Sequence, residues 1–363
     1  MQKKKLLYPI SFIYRIIIFF RNKFFDWGIF KEKEYPVPVI CVGNITVGGT
    51  GKTPHVEYLI ELLSPNYKVA VLSRGYKRKT HGFVLAKPEC DVFTIGDEPF
   101  QLFLKYRDIL VAVDEKRRNG IEMLLGLEEK ERPEIILLDD AFQHRYVKPG
   151  FSILLMNYNN MPYEDAFLPV GFLRESISAK RRANVVIVTK CIENIKPIDM
   201  LMIKKELNLF PYQFVFFTKF KYADLTPVFK DVCIDSYSIK DICRDFQIFL
   251  VTGIASSEIM REDLKNKGCS ISHHFEYDDH HWYTVQDIEK ICKMFDKIDS
   301  QKKIILTTEK DAVKIQKLAC SQKLKENIFY LPIQVEFLSK NGNDFNKSIM
   351  DYVATNKRNS IFS

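Results

Sequence analysis

The chain has 363 residues, 46% hydrophobic and 28% charged, enough for two domains of ordinary size with substantial cores. That apolar share excludes a disordered chain, and 15 glycines with 15 prolines exclude a collagen-like or low-complexity one. A formal charge of +8 favours anionic partners such as phosphates or acidic lipid without choosing among them.

Lys3–Lys5 precede a greasy stretch from Leu6 to Phe30. Arg15, Arg21 and Lys23 interrupt it, whereas a spanning helix needs about 20 mostly apolar residues. A secretory signal is excluded too, because no small-residue cleavage site follows. At about 100° per residue, Ser11, Arg15, Asn22 and Asp26 gather on one narrow stripe. Ile13, Ile16, Ile17, Phe19, Phe20 and Phe24 spread over the rest. The spacing predicts an amphipathic helix around 11–25, with Pro9 in its first turn. Its wide apolar face suits either the protein's own core or a lipid headgroup layer.

Short β-branched runs follow, at Val37–Val42, Val69–Ser73, Ile109–Val113, Ile135–Leu138, Ser152–Met156 and Val185–Thr189. Continuous apolar strands of this kind, separated by helix-like stretches, predict a parallel α/β sheet covered on both faces. A second series at Ile248–Thr252, Ile304–Thr307 and Phe329–Ile333 predicts a smaller α/β domain. The aromatic, alternating segment Phe210–Lys230 reads as a strand-like linker between them. The predicted organisation is therefore an N-terminal helix (1–30), a P-loop domain (31–214) and a smaller α/β domain (215–363). The eight cysteines include no C-x-x-C pair, which leaves zinc ribbons and thioredoxin-type sites without support and predicts buried cytosolic thiols rather than a disulfide framework.

The most informative segment runs from Val39 to Pro54. A strand leads into Thr46-Val47-Gly48-Gly49-Thr50-Gly51-Lys52-Thr53, then into a helix carrying Val56, Leu59, Ile60 and Leu63. Glycines let backbone N–H groups converge on phosphate oxygens, and the helix N-terminus adds positive potential. Lys52 is placed to reach the β- and γ-phosphates of ATP, and the Thr53 hydroxyl to ligate Mg2+. Thr46 stands where the general P-loop pattern has its first glycine. The run Ile135–Leu138 ends in Asp139-Asp140, like a Walker B strand whose acid holds Mg2+. Asp140 assists the metal, acts as a base, or ends the strand. Thr189-Lys190-Cys191-Ile192 is superficially like a guanine-reading Thr-Lys-x-Asp, but Ile192 replaces the acid, so ATP is the expected nucleotide.

These segments resemble the tetraacyldisaccharide 4′-kinase (lipid A 4′-kinase) family of Gram-negative bacteria. The matching motifs are Gly43-Asn44 through Gly51-Lys52-Thr53-Pro54, Ser73-Arg74-Gly75-Tyr76, Gly96-Asp97-Glu98-Pro99, Asp139-Asp140-Ala141-Phe142-Gln143-His144 and Leu168-Pro169-Val170-Gly171-Phe172-Leu173-Arg174-Glu175. Thr252-Gly253-Ile254-Ala255, Asp279-His280-His281 and Thr308-Glu309-Lys310-Asp311-Ala312 follow in family order. Thr46 is normal for the family, whereas Ala141 and Phe172 replace a usual Gly and Pro. The resemblance implies transfer of the γ-phosphoryl of ATP to the 4′-hydroxyl of a tetraacylated glucosamine disaccharide 1-phosphate, giving lipid IVA at the cytoplasmic face of the inner membrane. It implies that Lys52 and Thr53 serve phosphates and Mg2+, and Asp139 the metal. Asp97 is implied as the base, paired with His280 from the second domain, so that the pair assembles on domain closure. Arg74, Asn119, Gln143, His144 and Arg174 are implied to line the phosphate and sugar sites. A lipid substrate also favours the N-terminal helix as a peripheral membrane anchor.

Two other readings share the nucleotide loop: a soluble P-loop kinase or ATPase acting on a polar metabolite, and a nucleotide-dependent switch. The His273–His281 region has no helical i, i+4 His pair or Cys partner for a structural metal. No basic stripe interleaved with aromatics points to nucleic acid.

Overall fold

A computed structural model describes residues 7–254, 257–279, 281–338 and 342–361. The chain forms two compact units, one comprising Met1–Phe220 with Val335–Ser363, the other Lys221–Gln334. The expected boundary at 214 thus falls at 220, and the C-terminal segment belongs to the first unit. The reason is packing. Phe345, Ile349 and Val353 of the helix Gly342–Ile361 are buried beside Leu59, Ile60 and Leu63 of the helix Lys52–Leu63.

The strands in chain order are β1 (Val39–Asn44), β2 (Val69–Ser73), β3 (Val84–Leu85), β4 (Leu110–Val113), β5 (Ile135–Asp139), β6 (Phe151–Asn157) and β7 (Val185–Thr189). They continue as β8 (Phe214–Tyr222), β9 (Thr226–Pro227), β10 (Gln247–Thr252), β11 (Ser270–Glu276), β12 (Lys303–Thr308), β13 (Ile328–Leu331) and β14 (Ile333–Phe337). The large sheet has the order β14-β8-β7-β6-β1-β5-β2-β4-β3. From β8 to β4 neighbouring strands are parallel, and β3 returns antiparallel. β1, β2, β5 and β7 are buried at every position, which is why their sequences are continuous apolar runs rather than alternating ones. Cores cover both faces of this sheet.

β8 is a full member of that sheet, not only a linker. Phe216 and Phe217 are buried, and β8 pairs with β7 from Val185↔Phe214 to Val188↔Phe217. The smaller sheet has the order β11-β10-β12-β13-β9, parallel except for β9. The predicted strand Phe329–Ile333 divides at Pro332, with β13 a member of the smaller sheet and β14 of the large one. In the second unit Cys243 and Cys269 form a disulfide, and the other six cysteines are free thiols.

The N-terminal helix spans Tyr8–Asp26, with Pro9 in its first turn. Its orientation is inverted relative to an ordinary surface helix. Ser11 Oγ donates to the Phe167 carbonyl (2.8 Å), Tyr14 Oη to the Arg174 carbonyl (3.1 Å) and Asn22 Nδ2 to Glu175 Oε1 (2.8 Å). Asp26 pairs with Arg145 at 3.0 Å and with Arg181. The apolar face turns outward: Tyr8, Ile10, Phe12, Ile13, Ile17 and Phe19 are each between 54% and 62% exposed. Among the described residues, no helix is long and apolar enough to cross a membrane.

Candidate active site

Parallel strands deliver their C-terminal ends to one edge of a sheet, and ligands of open α/β sheets bind in the crevice there. At this edge β1 releases the glycine-rich loop, β5 ends in Asp139, β2 leads to Arg74 and β4 leads to Asp114. Gly51 has φ +83° and precedes Lys52, the first residue of its helix. A Cβ on Gly51 would collide with the Phe220 ring, so the left-handed backbone and the close approach both demand glycine here.

The loop is held from three sides. Asn44 Nδ2 donates to Thr50 Oγ1 (2.8 Å), and Thr189 Oγ1 donates to the Thr50 carbonyl (2.9 Å). Thr46 bridges to Leu173, and the Val47 amide donates to the Phe172 carbonyl (2.7 Å). Thr46 and Thr50 are buried, while Val47, Gly48 and Gly49 face solvent. The exposed amide-bearing stretch is therefore a fixed cradle rather than a loose loop.

Lys52 Nζ lies 3.7 Å from Asp140 Oδ1, and Arg174 Nη1 lies 3.3 Å from both oxygens of the same carboxylate. Burial pushes the Asp140 carboxyl up, but Lys52 and Arg174 outweigh it and hold the group below the ordinary carboxylate range. Asp139 has the opposite fate. It is fully buried, and desolvation with the neighbouring Glu98 and Asp140 charges raises it to about 7. Its Oδ1 has no hydrogen-bond partner among the described residues. An orphaned, buried carboxylate oxygen on the strand paired with β1, at the register Val42↔Asp139, is a hard oxygen donor of the kind Mg2+ requires.

The implied substrate residues fall around the same edge. Gln143 Nε2 donates to the Asn44 carbonyl (2.6 Å), and Arg21 of the N-terminal helix donates to the Gln143 carbonyl (2.9 Å). Asn119 Nδ2 donates to Asp114 Oδ2 (2.7 Å). His144 Nε2 accepts from the Arg117 amide (3.1 Å). Burial, then the Arg117, Arg21 and Arg74 charges, push His144 down to about 4, so it is neutral and carries its proton on Nδ1. Arg74 is exposed. Asp97 is buried at the N-terminus of the helix Asp97–Lys105, where its Oδ1 accepts from the Glu98 amide (3.1 Å). His280 lies outside the described residues.

One important residue was missed by sequence reasoning. Arg117 is almost wholly buried and donates to the Asp114 carbonyl (2.7 Å) and the Asp139 carbonyl (3.2 Å), tying the ends of β4 and β5 together. Desolvation lowers its guanidinium to about 10. The available signal was Leu110–Val113 followed by Asp114, an apolar strand ending in an acid like the Asp139 strand. In the second unit, Glu258, His274 and Glu276 bring ligand atoms within 4.8 Å of one another. They are already engaged: His274 Nε2 with Thr252 Oγ1 at 2.8 Å, Glu276 with Ser257 and Glu258 with Arg261.

A central strand emptying into this cradle, with two acids at the end of the adjacent parallel strand, makes the molecule a P-loop nucleotide-binding protein. The family model described as tetraacyldisaccharide-1-P 4′-kinase matches residues 3–354. The chain belongs to that family. Similar curated proteins named tetraacyldisaccharide 4′-kinase include one from Bacteroides thetaiotaomicron, 49% identical over 99% of this chain and 96% of its own. Another, from Phocaeicola vulgatus, is 50% identical over 99% and 98% respectively. A crystal structure of LpxK from Aquifex aeolicus in complex with ATP superposes with a TM-score of 0.75 at 30% identity, covering 96% of this chain and 99% of that one.

Proposed function

We propose that this protein is an ATP- and Mg2+-dependent kinase that phosphorylates the 4′-hydroxyl of a tetraacylated glucosamine disaccharide 1-phosphate, giving lipid IVA, at the cytoplasmic surface of the inner membrane. The observation that carries the reading is the junction of the nucleotide cradle with the inverted N-terminal helix. The polar side of that helix bonds to Gln143, Arg174 and Glu175, next to Lys52 and Asp140, while its apolar side faces outward. An acylated substrate resists leaving lipid, since each exposed CH2 costs about 0.8 kcal/mol. An enzyme working on its headgroup gains by lying at the interface, and an outward apolar face with flanking cations is the form such an anchor takes. A soluble kinase of a polar metabolite has no use for that face.

The loop amides and Lys52 hold the polyphosphate, and Thr53 and Asp139 hold Mg2+, which when bound neutralises charge on the transferring phosphoryl group. Arg174 stands beside Lys52 across Asp140 and meets the same anionic charge. Arg74, Asn119, Gln143 and His144 line the sugar and its phosphate. The 4′-oxygen forms a bond to the γ-phosphorus, the bond to the β-bridging oxygen breaks, and ADP leaves. The hydroxyl proton passes to Asp97, the base that the family resemblance implies. Lys52 and Arg174 already depress the basicity of Asp140, which disfavours it as the proton acceptor.

Single-turnover transfer of labelled phosphate from ATP to the lipid disaccharide tests the assignment. Asp97→Asn should lower the rate at least 100-fold with nucleotide affinity unchanged, as loss of a general base does. Asp140→Asn should change nucleotide affinity as well. A lipid substrate left unlabelled by the wild type, or a fully active Asp97→Asn variant, overturns the reading.

A further inference from the structure

The inverted N-terminal helix has two flanks, and they face different surroundings. At about 100° per residue, Tyr14 and Arg21 fall on one flank, and Arg15, Phe19, Lys23 and Asp26 on the other. The first flank looks onto the active site, where Tyr14 Oη donates to the Arg174 carbonyl and Arg21 to the Gln143 carbonyl. The second borders a cavity of about 280 Å3, whose far wall is Phe167 with the 3₁₀ helix Ile177–Arg182. That volume lies near the lower bound for small-molecule pockets, so it suits a headgroup rather than a whole lipid.

The lining is cationic. Arg15, Lys23, Arg181 and Arg182 line the cavity, against one carboxylate, Asp26. Two of these cations are answered within the protein: Arg181 by Asp26, and Arg182 by Glu175 Oε2 at 2.7 Å. Arg15 and Lys23 are not. Among the described residues neither meets a carboxylate, and each faces an aromatic ring instead. The Arg15 guanidinium lies 5.7 Å from the centroid of Phe167, and the Lys23 ammonium 5.8 Å from that of Phe19. Such contacts hold a cation in place without neutralising it. Next to this flank the outward apolar face carries Ile16 and Phe19, both exposed. A helix lying with that face in the acyl boundary carries its flank at the depth of the lipid phosphates.

We propose that this cavity seats the headgroup of an acidic phospholipid that is not the substrate, with Arg15 and Lys23 supplying the charge for its phosphate and Phe19 and Phe167 packing on its glycerol. The planar fork of Arg15 matches two phosphate oxygens, whereas Lys23 meets the anion as a point charge. Ser178 adds a hydroxyl at the lining. A zwitterionic lipid would bring its own ammonium toward Arg181, so an anionic headgroup is the better fit. Because cavity and active site lie on opposite flanks of one helix, a lipid held here leaves the substrate side open. It also fixes the roll of the helix on the bilayer.

The inference rests on the membrane placement proposed above, and the experiment separates the two. Co-sedimentation of the full chain would compare vesicles of phosphatidylcholine alone with vesicles containing phosphatidylglycerol. The proteins are the wild type, the double variant Arg15→Gln with Lys23→Gln, and Ser178→Trp, which fills the cavity without changing charge. Arg15 and Ser178 are exposed and Lys23 is half-buried, so folding should hold, which thermal melting checks. Ser178→Leu stands in if Ser178→Trp melts early. The double variant and Ser178→Trp should each cut the preference for acidic over neutral vesicles about tenfold, the effect of about two cations at a headgroup layer. Native mass spectrometry of wild type released from the acidic vesicles should find one phosphatidylglycerol retained. A folded Ser178→Trp variant that prefers acidic vesicles as strongly as the wild type would overturn the seat, since a diffuse attraction would then suffice. Displacement of the retained lipid by glycerol 3-phosphate would make the cavity a site for soluble phosphate esters and overturn the lipid. A wild type that sediments equally with both vesicles would overturn the seat alone, and one that sediments with neither would overturn the membrane placement itself.

Discussion

Replacing Ile16, Ile17, Phe19 and Phe20 with Ser or Gln should release the protein from membranes without unfolding it. These side chains are 40%, 59%, 54% and 48% exposed, so about half of each surface is available to lipid. Full burial of such a side chain is worth about 1.5–3 kcal/mol, hence about 1 kcal/mol apiece here and about 4 kcal/mol together. At about 1.4 kcal/mol per decade, that is a drop of about three orders of magnitude in the partition constant. The assay is co-sedimentation with vesicles of phosphatidylethanolamine and phosphatidylglycerol at fixed ionic strength. The contacts of Ser11, Tyr14, Asn22 and Asp26 are untouched, so the melting temperature should hold. Phosphoryl transfer to an acceptor dispersed in detergent should also survive. A folded quadruple variant that sediments with vesicles as the wild type does would refute the argument, because the outward apolar face would then contribute nothing to binding.

Gly51→Ala should cost more than Gly48→Ala, although both glycines have positive φ. At Gly51 the added Cβ also strikes Phe220, whereas nothing lies within 4 Å at Gly48. ATP affinity should fall at least tenfold for Gly51→Ala and only a few-fold for Gly48→Ala, the strain alone being about 1–2 kcal/mol. Equal losses measured by calorimetry would count against the Phe220 contact. A pH dependence of stability follows from His55, which is wholly buried with Nδ1 2.8 Å from the Gly51 carbonyl and Nε2 3.2 Å from Thr218 Oγ1. Burial depresses it from 6.5 to about 4. A depressed folded value means that the unfolded chain takes up the proton first. The stability is present above about 6.5 and is lost as pH falls toward about 4, by about 3 kcal/mol at 1.4 kcal/mol per unit. In urea titrations between those limits, His55→Gln should lose stability less steeply than the wild type; identical slopes would mean that the imidazole is solvated.

The segments that sequence alone determined were those whose meaning is local. Val69–Ser73 and Val185–Thr189 are strands at the residues where the apolar runs stand, because a strand buried on both faces must be apolar throughout. The nucleotide loop was equally legible, since its amide donors, Lys52 and Thr53 are neighbours along the chain and need no distant partner to be recognised. The helical period around 11–25 was visible too, but not which way it turned.

Tertiary structure alone decided the rest. It turned the stripe of Ser11, Asn22 and Asp26 inward, because Glu175, Arg145 and the Phe167 carbonyl wait there as partners. It brought Phe345 and Ile349 back to the first unit and seated Arg117 under Asp139. Each of these joins residues far apart in the chain. Periodicity reports which face of an element is apolar, whereas the order of strands in a sheet determines what that face, or the strand's end, will meet.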